Sequence, residues 1–187
     1  MSHRKRVQHV HEAGHLHELT FSCYGRLPLL TNDDLRRRLS RALDAAGVEC
    51  QVQLCAFVFM PEHVHLLVVP VGQDSISRYL ARIKQPFSKQ IKSLLTAASA
   101  GLLSRLTVSE RPGKSCFRFW QEGSGYDRNL YSPRAIATSI DYIHANPVTR
   151  GLCRRAIDWK WSSARFYQVE EQQSPRHRST GVAQSAA

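Results

Sequence analysis

The spacing of hydrophobic positions along this chain changes several times, and each change predicts a new element. An apolar run from Leu16 to Cys23 is typical of a strand. Thr31 then offers an N-cap for a helix. Apolar residues recur at helical spacing from Leu35 until Gly47, which predicts an amphipathic helix that ends at the glycine.

Beyond this helix the apolar spacing becomes two, which predicts a pair of antiparallel strands. The residues expected on one face of the first strand are Val52, Leu54, Ala56 and Val58. Pro61 and Glu62 are typical of a turn. The following run, His63 to Val69, should therefore pair back against the strand before it.

The second half of the chain contains two more helical patterns and one further strand. Residues 76–91 repeat apolar side chains at helical spacing, and residues 116–121 are typical of a strand. Ser132 is an N-cap for a last core helix, which should stop before Pro147. This order of elements predicts an α+β fold, an antiparallel sheet with helices packed on one side of it.

Composition divides the 187 residues into three parts. Residues 1–13 should form a basic, mobile arm, and residues 14–167 should form one folded domain. Residues 96–115 are rich in alanine, serine and glycine, which indicates a flexible insertion in this domain. Residues 168–187 contain few apolar groups and should be disordered.

The chain is strongly basic, with 26 Lys and Arg against 15 Asp and Glu, a formal charge of +11. Such a balance favours a polyanionic partner, nucleic acid above all, although a solvated basic surface is the alternative. The five cysteines show no Cys-x-x-Cys spacing, which argues against a disulfide framework or a thiolate zinc site. No apolar run is long enough for a membrane span, so we expect a soluble, cytoplasmic protein.

Two histidines lie deep in the hydrophobic run of the third predicted strand. Because strand side chains alternate, His63 and His65 project from one face and could hold one metal ion. Burial of an unpartnered imidazole is costly, so the pair should be ligated, hydrogen-bonded or lining a cleft. The same spacing in His9-Val10-His11 and His15-Leu16-His17 occurs in or beside a polar stretch, where imidazoles can be solvated.

The last core helix carries two stripes. Its apolar stripe consists of Ile136, Ile140 and Ile143. Thr138, Tyr142 and Asn146 are spaced four apart and form a more polar stripe on another face. His144 points away from Tyr142 and should have a packing or surface role.

Two motifs in order along the chain resemble a known enzyme family. The run Met60-Pro61-Glu62-His63-Val64-His65 and the later run from Asp141 to Val148 resemble the single-tyrosine HUH transposases. The similarity is greatest to the REP-associated tyrosine transposases, and it covers roughly residues 14–167. Further matches are Phe119-Trp120-Gln121, Gly151-Leu152 and Trp161-Ser162-Ser163.

The resemblance implies a ferredoxin-like HUH fold and an enzyme that cleaves and rejoins single-stranded DNA near palindromic hairpins. It implies that His63 and His65 hold a divalent metal, that Asn146 completes the metal site, and that Tyr142 is the nucleophile. The expected product is a 5′-phosphotyrosine link. The resemblance favours Mg²⁺ or Mn²⁺, whereas two imidazoles and an amide by themselves would suit Mn²⁺ or Zn²⁺. Members of the family are monomers or homodimers.

Two other functions remain open at this point: a non-catalytic DNA-binding protein that retains the fold, and a metal-dependent phosphodiesterase that uses water. A basic, aromatic segment late in the chain could grip phosphates and stack on unpaired bases. Alternatively, it is a solvated face whose tryptophans cover the core. The candidate DNA-binding residues are Arg150, Arg154, Arg155, Lys160, Trp161 and Arg165.

Overall fold

The protein is described by a computed structural model that covers residues 15–72, 76–98, 101–123 and 125–173. Its strands are β1 (Leu16–Ser22), β2 (Val52–Phe59), β3 (His63–Pro70), β4 (Thr107–Arg111), β5 (Lys114–Phe117) and β6 (Tyr126–Leu130). Its α-helices are α1 (Asp33–Cys50), α2 (Ile76–Ala97), α3 (Gly101–Arg105), α4 (Pro133–Thr149) and α5 (Ala164–Gln173). Within the described ranges, no helix combines the length and the apolar character that crossing a membrane requires.

The core of the fold is a four-stranded antiparallel sheet with the strand order β2-β3-β1-β6. Leu19, Val64 and Leu66 pack on one face against α1 and α2. Val58 and Leu67 pack on the other face against α4, with its buried Ile143. The predicted α+β fold with an antiparallel sheet is therefore confirmed, but helices cover both faces of the sheet rather than one.

Strand β3 lies inside the sheet, and this explains its continuous hydrophobic character. Its side chains from His63 to Val68 are all buried, because β1 and β2 flank it and helices cover both of its faces. Alternation along the strand directs Leu66 towards α1 and α2, and His63 and His65 towards α4. The central strand thus places both imidazoles in the interface between the sheet and the last core helix.

Helix α1 begins and ends later than the sequence predicts. Its N-cap is Asn32 rather than Thr31, because the Asn32 side chain accepts a hydrogen bond of 2.6 Å from the Asp34 N–H. The helix then continues through Gly47 to Cys50, which is fully buried. Packing of this last turn therefore outweighs the cost of a glycine inside a helix, about 1 kcal/mol.

Strand β2 contains an irregularity that the alternating pattern conceals. Its pairing with β3 shifts between Leu54 and Ala56. As a result, Val52 packs towards α1 and α2, whereas Ala56 and Val58 pack towards α4. The prediction that these residues share one face with Leu54 is wrong, because an extra residue at a bulge reverses the alternation.

The fourth strand of the sheet is β6, not the predicted strand at residues 116–121. Within that segment β5 ends at Phe117, and Trp120 makes an isolated bridge to Cys23. Strand β6 has the sequence Tyr-Asp-Arg-Asn-Leu and is an edge strand, with Tyr126 and Arg128 exposed. Its polar composition gave no hydrophobic signal.

The end of α4 also differs from the sequence prediction. The helix continues through Pro147 to Thr149, although proline cannot donate a helical hydrogen bond. Pro147 is buried, and its carbonyl accepts a hydrogen bond from the Leu152 N–H. Since only the final turn lies beyond the proline, the lost bond is offset by this packing.

Regular structure occupies much of the segment predicted as a flexible insertion, residues 96–115. It contains α3, β4 and the first half of β5, and the two strands pair as a hairpin. The flexibility of the segment stays a prediction. Residues 168–173 of the predicted tail continue α5, whereas the predicted arm, residues 1–13, and residues 174–187 lie outside the described residues.

Gly125 positions the start of β6 and provides a test of this edge strand. It adopts φ +80°, and a Cβ atom there would collide with the carbonyl oxygen of Thr20 in β1. Gly113 adopts φ +78° but has open space around it, so Gly113→Ala is a matched control. We expect Gly113→Ala to lower the free energy of unfolding by roughly 1–2 kcal/mol through backbone strain alone. Gly125→Ala should add about 1–3 kcal/mol for the steric conflict.

Urea unfolding of both variants measures this difference, and hydrogen exchange should show reduced protection of the β1–β6 amides only in Gly125→Ala. Equal destabilisation by the two substitutions would contradict the close approach of β6 to Thr20.

Candidate active site

A cleft of about 710 Å³ lies between the sheet and α4, lined by side chains of β1, β3, β6 and α4 together with Arg26 and Arg150. Its lining is rich in polar and charged groups, whereas Ala56, Val58 and Ile143 pack beside it in an apolar cluster. The arrangement is that of an open binding site on one face of the sheet.

The two histidines of β3 meet inside this cleft. The Nε2 atoms of His63 and His65 are 3.0 Å apart, and their rings are nearly perpendicular, at 87°. Both residues are buried. The position of β3 inside the sheet and the alternation of its side chains produce this juxtaposition.

The other ring nitrogen of each histidine has its own partner. His65 Nδ1 lies 2.8 Å from Thr20 Oγ1 on the neighbouring strand, and His63 Nδ1 lies 3.2 Å from Glu62 Oε1. A carboxylate can only accept, so Nδ1 of His63 carries the proton and its Nε2 lone pair is directed at His65. These contacts orient the two rings from behind, as in sites where a carboxylate–histidine pair holds a metal.

Burial keeps the two imidazoles neutral. Desolvation lowers the pKa of His63, and it lowers the pKa of His65 to about 4, with the proximity of His63 acting in the same direction. Burial by itself would raise the pKa of Glu62, but the hydrogen bond from Arg150 and the neighbouring His63 bring it below its usual value. At neutral pH the site therefore combines an ionised carboxylate with two uncharged rings.

Helix α4 brings the polar stripe to the same place. The Tyr142 ring lies edge-on to His65 with their centroids 5.4 Å apart, and Tyr142 is 52% exposed. One turn later, the Asn146 amide nitrogen Nδ2 lies 3.2 Å from His65 Nε2. Thr138 lines the same cleft. The structure thus brings together His63, His65, Tyr142 and Asn146.

Two buried carboxylates tie α4 to the sheet on either side of Tyr142. Glu18 of β1 accepts hydrogen bonds from Ser139, at 3.0 Å, and from Arg128, at 2.6 Å. Glu62 accepts a bond of 2.8 Å from Arg150, just beyond the end of α4. Truncation of Arg128 or Arg150 would leave Glu18 or Glu62 without its cationic partner, which is destabilising.

Sequence reasoning missed four of these residues, Glu18, Thr20, Glu62 and Arg128. The signal for the first two was present, because Glu18 and Thr20 alternate with the apolar Leu19 and Phe21 in β1. A polar residue at every second position of a predicted strand indicates that one face lines something other than an apolar core.

The predicted DNA-binding residues fall into two groups. Arg150 lines the cleft. The other five lie outside it. Arg154 is exposed, and Arg155 forms an ion pair of 2.7 Å with Asp158. Lys160 and Trp161 donate to Asp33 at 2.7 Å and 2.6 Å, and Arg165 donates to the Ile157 carbonyl at 2.7 Å. The Trp161 ring also stacks on Phe59, with centroids 6.2 Å apart. Trp161 therefore covers the core, which favours the packing alternative for this tryptophan.

Two further histidines of the described residues, His144 and His17, lie outside the cleft. His144 lies 2.8 Å from Ser163 Oγ and contacts the Tyr167 ring, as expected for a residue that points away from Tyr142. The expectation that the His17 imidazole is solvated is wrong, because His17 is fully buried and its Nδ1 lies 2.9 Å from Asp127 Oδ1. Strand β1 begins at Leu16, so His17 already belongs to the sheet.

Comparison with known proteins gives one family and one fold. The family model described as "Transposase IS200 like" matches residues 13–102, which include the histidine pair. A Haemophilus influenzae protein, named as a candidate REP-associated tyrosine transposase, is 27% identical over 117 residues, 58% of this chain and 56% of that protein. The chain thus spans little more than half the length of this curated relative.

A solved structure, that of a REP-associated tyrosine transposase bound to a REP hairpin, matches with a TM-score of 0.64 at 22% identity. The match covers 100% of this chain and 96% of that one. The two proteins share the HUH transposase fold.

The low pKa of His65 predicts that the metal-free protein loses stability in mild acid. The folded-state value of about 4 lies below the ordinary 6.5, so the unfolded chain takes up the proton first as pH falls. Stability should be complete above about pH 6.5 and should fall by up to roughly 3 kcal/mol towards pH 4. His63 should contribute in the same direction, because its pKa is also lowered.

Urea unfolding in the presence of a chelator, repeated across this pH range, measures the loss. The matched variant His65→Gln should show a shallower dependence on pH. Identical pH dependences for the two proteins would show that His65 titrates normally.

Proposed function

We propose that this chain, which is similar to the IS200-like transposases, cleaves and rejoins single-stranded DNA beside palindromic hairpins, with Tyr142 as the nucleophile. One observation carries the proposal: a half-exposed tyrosine ring contacts the ring of His65 in a cleft where two imidazoles and an amide converge. A tyrosine with a purely structural role would be expected to bury its ring and hydrogen-bond its hydroxyl. DNA as the partner agrees with the net charge of +11.

The histidine pair fits a divalent metal ion, for which we propose Mg²⁺ or Mn²⁺. Adjacent ligands of an octahedral ion, each about 2.1 Å from it, lie roughly 3 Å apart. The two Nε2 atoms are separated by 3.0 Å, and their Nδ1 atoms are already hydrogen-bonded to Thr20 and Glu62. The Asn146 amide group lies beside His65, so its side-chain oxygen would be the third protein ligand. When bound, such an ion neutralises phosphate charge and makes phosphorus more susceptible to attack.

The residues of this chain then align the nucleophile with the phosphate. Helix α4 is fixed to the sheet near its middle through Ser139 and Glu18, and at its C-terminal end through Arg150 and Glu62. This orients the Tyr142 hydroxyl for attack on phosphorus, where positioning contributes much of the rate.

Attack forms the bond between the tyrosine oxygen and phosphorus and breaks the bond to the 3′ oxygen of the preceding nucleotide. The phenol proton leaves to solvent, and the departing oxygen takes up a proton to give a free 3′-hydroxyl. The phosphodiester energy is conserved in the 5′-phosphotyrosine link, so a 3′-hydroxyl can reverse the reaction without ATP.

Tyr142→Phe should abolish covalent attachment to DNA, because phenylalanine has no hydroxyl. A labelled hairpin with unpaired flanks, incubated with Mg²⁺ or Mn²⁺, should give an adduct that survives denaturing electrophoresis with the wild type and with Tyr131→Phe. Tyr131 is exposed but does not line the cleft, which makes it a matched control.

Persistence of the adduct in Tyr142→Phe would refute the assignment of Tyr142 as the nucleophile. Cleavage by the wild type without an adduct would indicate a phosphodiesterase that uses water, and binding without cleavage would indicate a non-catalytic DNA-binding protein.

Thr20→Val should weaken metal binding, because it removes the partner that orients His65. Loss of such a supporting hydrogen bond typically costs about 10–100-fold in metal affinity. Titration calorimetry with Mn²⁺ measures the change. Thr107→Val is the control, since it removes a threonine hydrogen bond of the same 2.8 Å length on the exposed surface. Equal Mn²⁺ affinity in the Thr20 and Thr107 variants would refute the supporting role of Thr20.

A further inference from the structure

We propose that Tyr126 and Arg128 of β6 form a subsite for one unpaired nucleotide next to the scissile phosphate. Tyr126 stacks on the base, and the Arg128 guanidinium holds a phosphate oxygen of the same strand. The inference rests on the proposed function and adds a specific contact to the DNA that sequence analysis did not indicate.

The register of the sheet places this subsite beside the histidine pair. Tyr126 pairs with Thr20, and Thr20 pairs with His65, so the three residues form one row across β6, β1 and β3. Neighbouring strands are about 4.8 Å apart, which puts the Tyr126 backbone roughly 10 Å from that of His65. Arg128 lies two residues along β6 and therefore projects from the same face. Both side chains line the cleft that contains Tyr142.

Both side chains are available to a ligand. Tyr126 is 51% exposed, and the Arg128 side chain is 48% exposed. Strand β6 is the edge of the sheet, so a DNA strand can leave the cleft across it. An exposed tyrosine beside an arginine is the pair of groups that binds unpaired nucleotides, through stacking on the base and donation to the phosphate.

Glu18 determines what Arg128 contributes. The buried carboxylate accepts one Arg128 N–H at 2.6 Å, and it also accepts the Ser139 hydroxyl, three residues before Tyr142 on α4. Because Glu18 balances the charge, Arg128 offers directed N–H donors rather than net positive charge. A guanidinium can hold a carboxylate and a phosphate oxygen with different N–H groups, and an ammonium lacks this fixed fork. The same carboxylate thus positions the subsite and the helix of the nucleophile.

The test uses the Tyr142→Phe protein, which should bind DNA without reacting, and a hairpin with unpaired flanks. 2-Aminopurine replaces one flanking base at a time on either side, so that its fluorescence reports stacking. We expect the fluorescence to be quenched at one flanking position. Adding Tyr126→Ala should abolish this quenching and weaken binding roughly tenfold. Adding Tyr126→Trp instead should retain the quenching. Tyr131→Ala is the matched control for removal of an exposed tyrosine.

Arg128→Lys tests the directed donors, because it keeps the charge and loses the fork. It should weaken binding severalfold while leaving the dependence of affinity on salt unchanged. Arg111→Lys, on the exposed hairpin of β4 and β5, should leave both quantities as they are. A hairpin without flanks should bind all these variants equally.

The outcomes separate this subsite from the proposed function. If the wild type forms the covalent adduct but no flanking position shows quenching that depends on Tyr126, the subsite is wrong and the proposed function stands. Quenching that depends on Tyr126, with no adduct in the wild type, would retain the subsite and refute the strand-transfer activity. Equal binding by Arg128→Lys and Arg111→Lys would remove Arg128 from the subsite.

Discussion

The burial of two imidazoles between the sheet and α4 is the constraint on which the rest of the structure depends. A buried ring nitrogen without a partner is costly, and His63 and His65 avoid this cost through Glu62 and Thr20. Those contacts fix both rings so that their Nε2 atoms face each other 3.0 Å apart. This arrangement is the basis for the proposed metal site.

The same polar groups also join the sheet to the helix, so the site and the architecture cannot be separated. Glu62 contacts His63 on one side and Arg150 on the other, which couples the orientation of a ring to the end of α4. Glu18 makes the equivalent link through Ser139. Beneath these contacts Ile143 is buried against the apolar side chains of β2 and β3. The apolar contacts provide stability, and the carboxylates determine where along the sheet the helix rests.

Sequence alone predicted the parts of the site that depend on one element. Alternation in β3 places His63 and His65 on one face, and the spacing of four in α4 aligns Tyr142 with Asn146, because both periods are local geometry. Sequence alone failed where the pairing between strands determines the face that a residue occupies or the existence of a strand. The bulge that sends Val52 and Ala56 to opposite faces arises from the register with β3. Strand β6 is defined by its hydrogen bonds to β1, since its own residues are polar.

The charge of the chain shows the same distinction between composition and arrangement. A net charge of +11 predicts a polyanionic partner but not the surface that meets it. In the structure the arginines of the cleft are Arg26, Arg128 and Arg150, from three separate parts of the chain, and the last two are each bonded to a buried carboxylate. Such pairing reduces the local field and fixes the direction of the remaining N–H groups. In the proposed function, recognition in the cleft therefore depends on geometry, while the exposed cations elsewhere on the surface attract DNA over a distance.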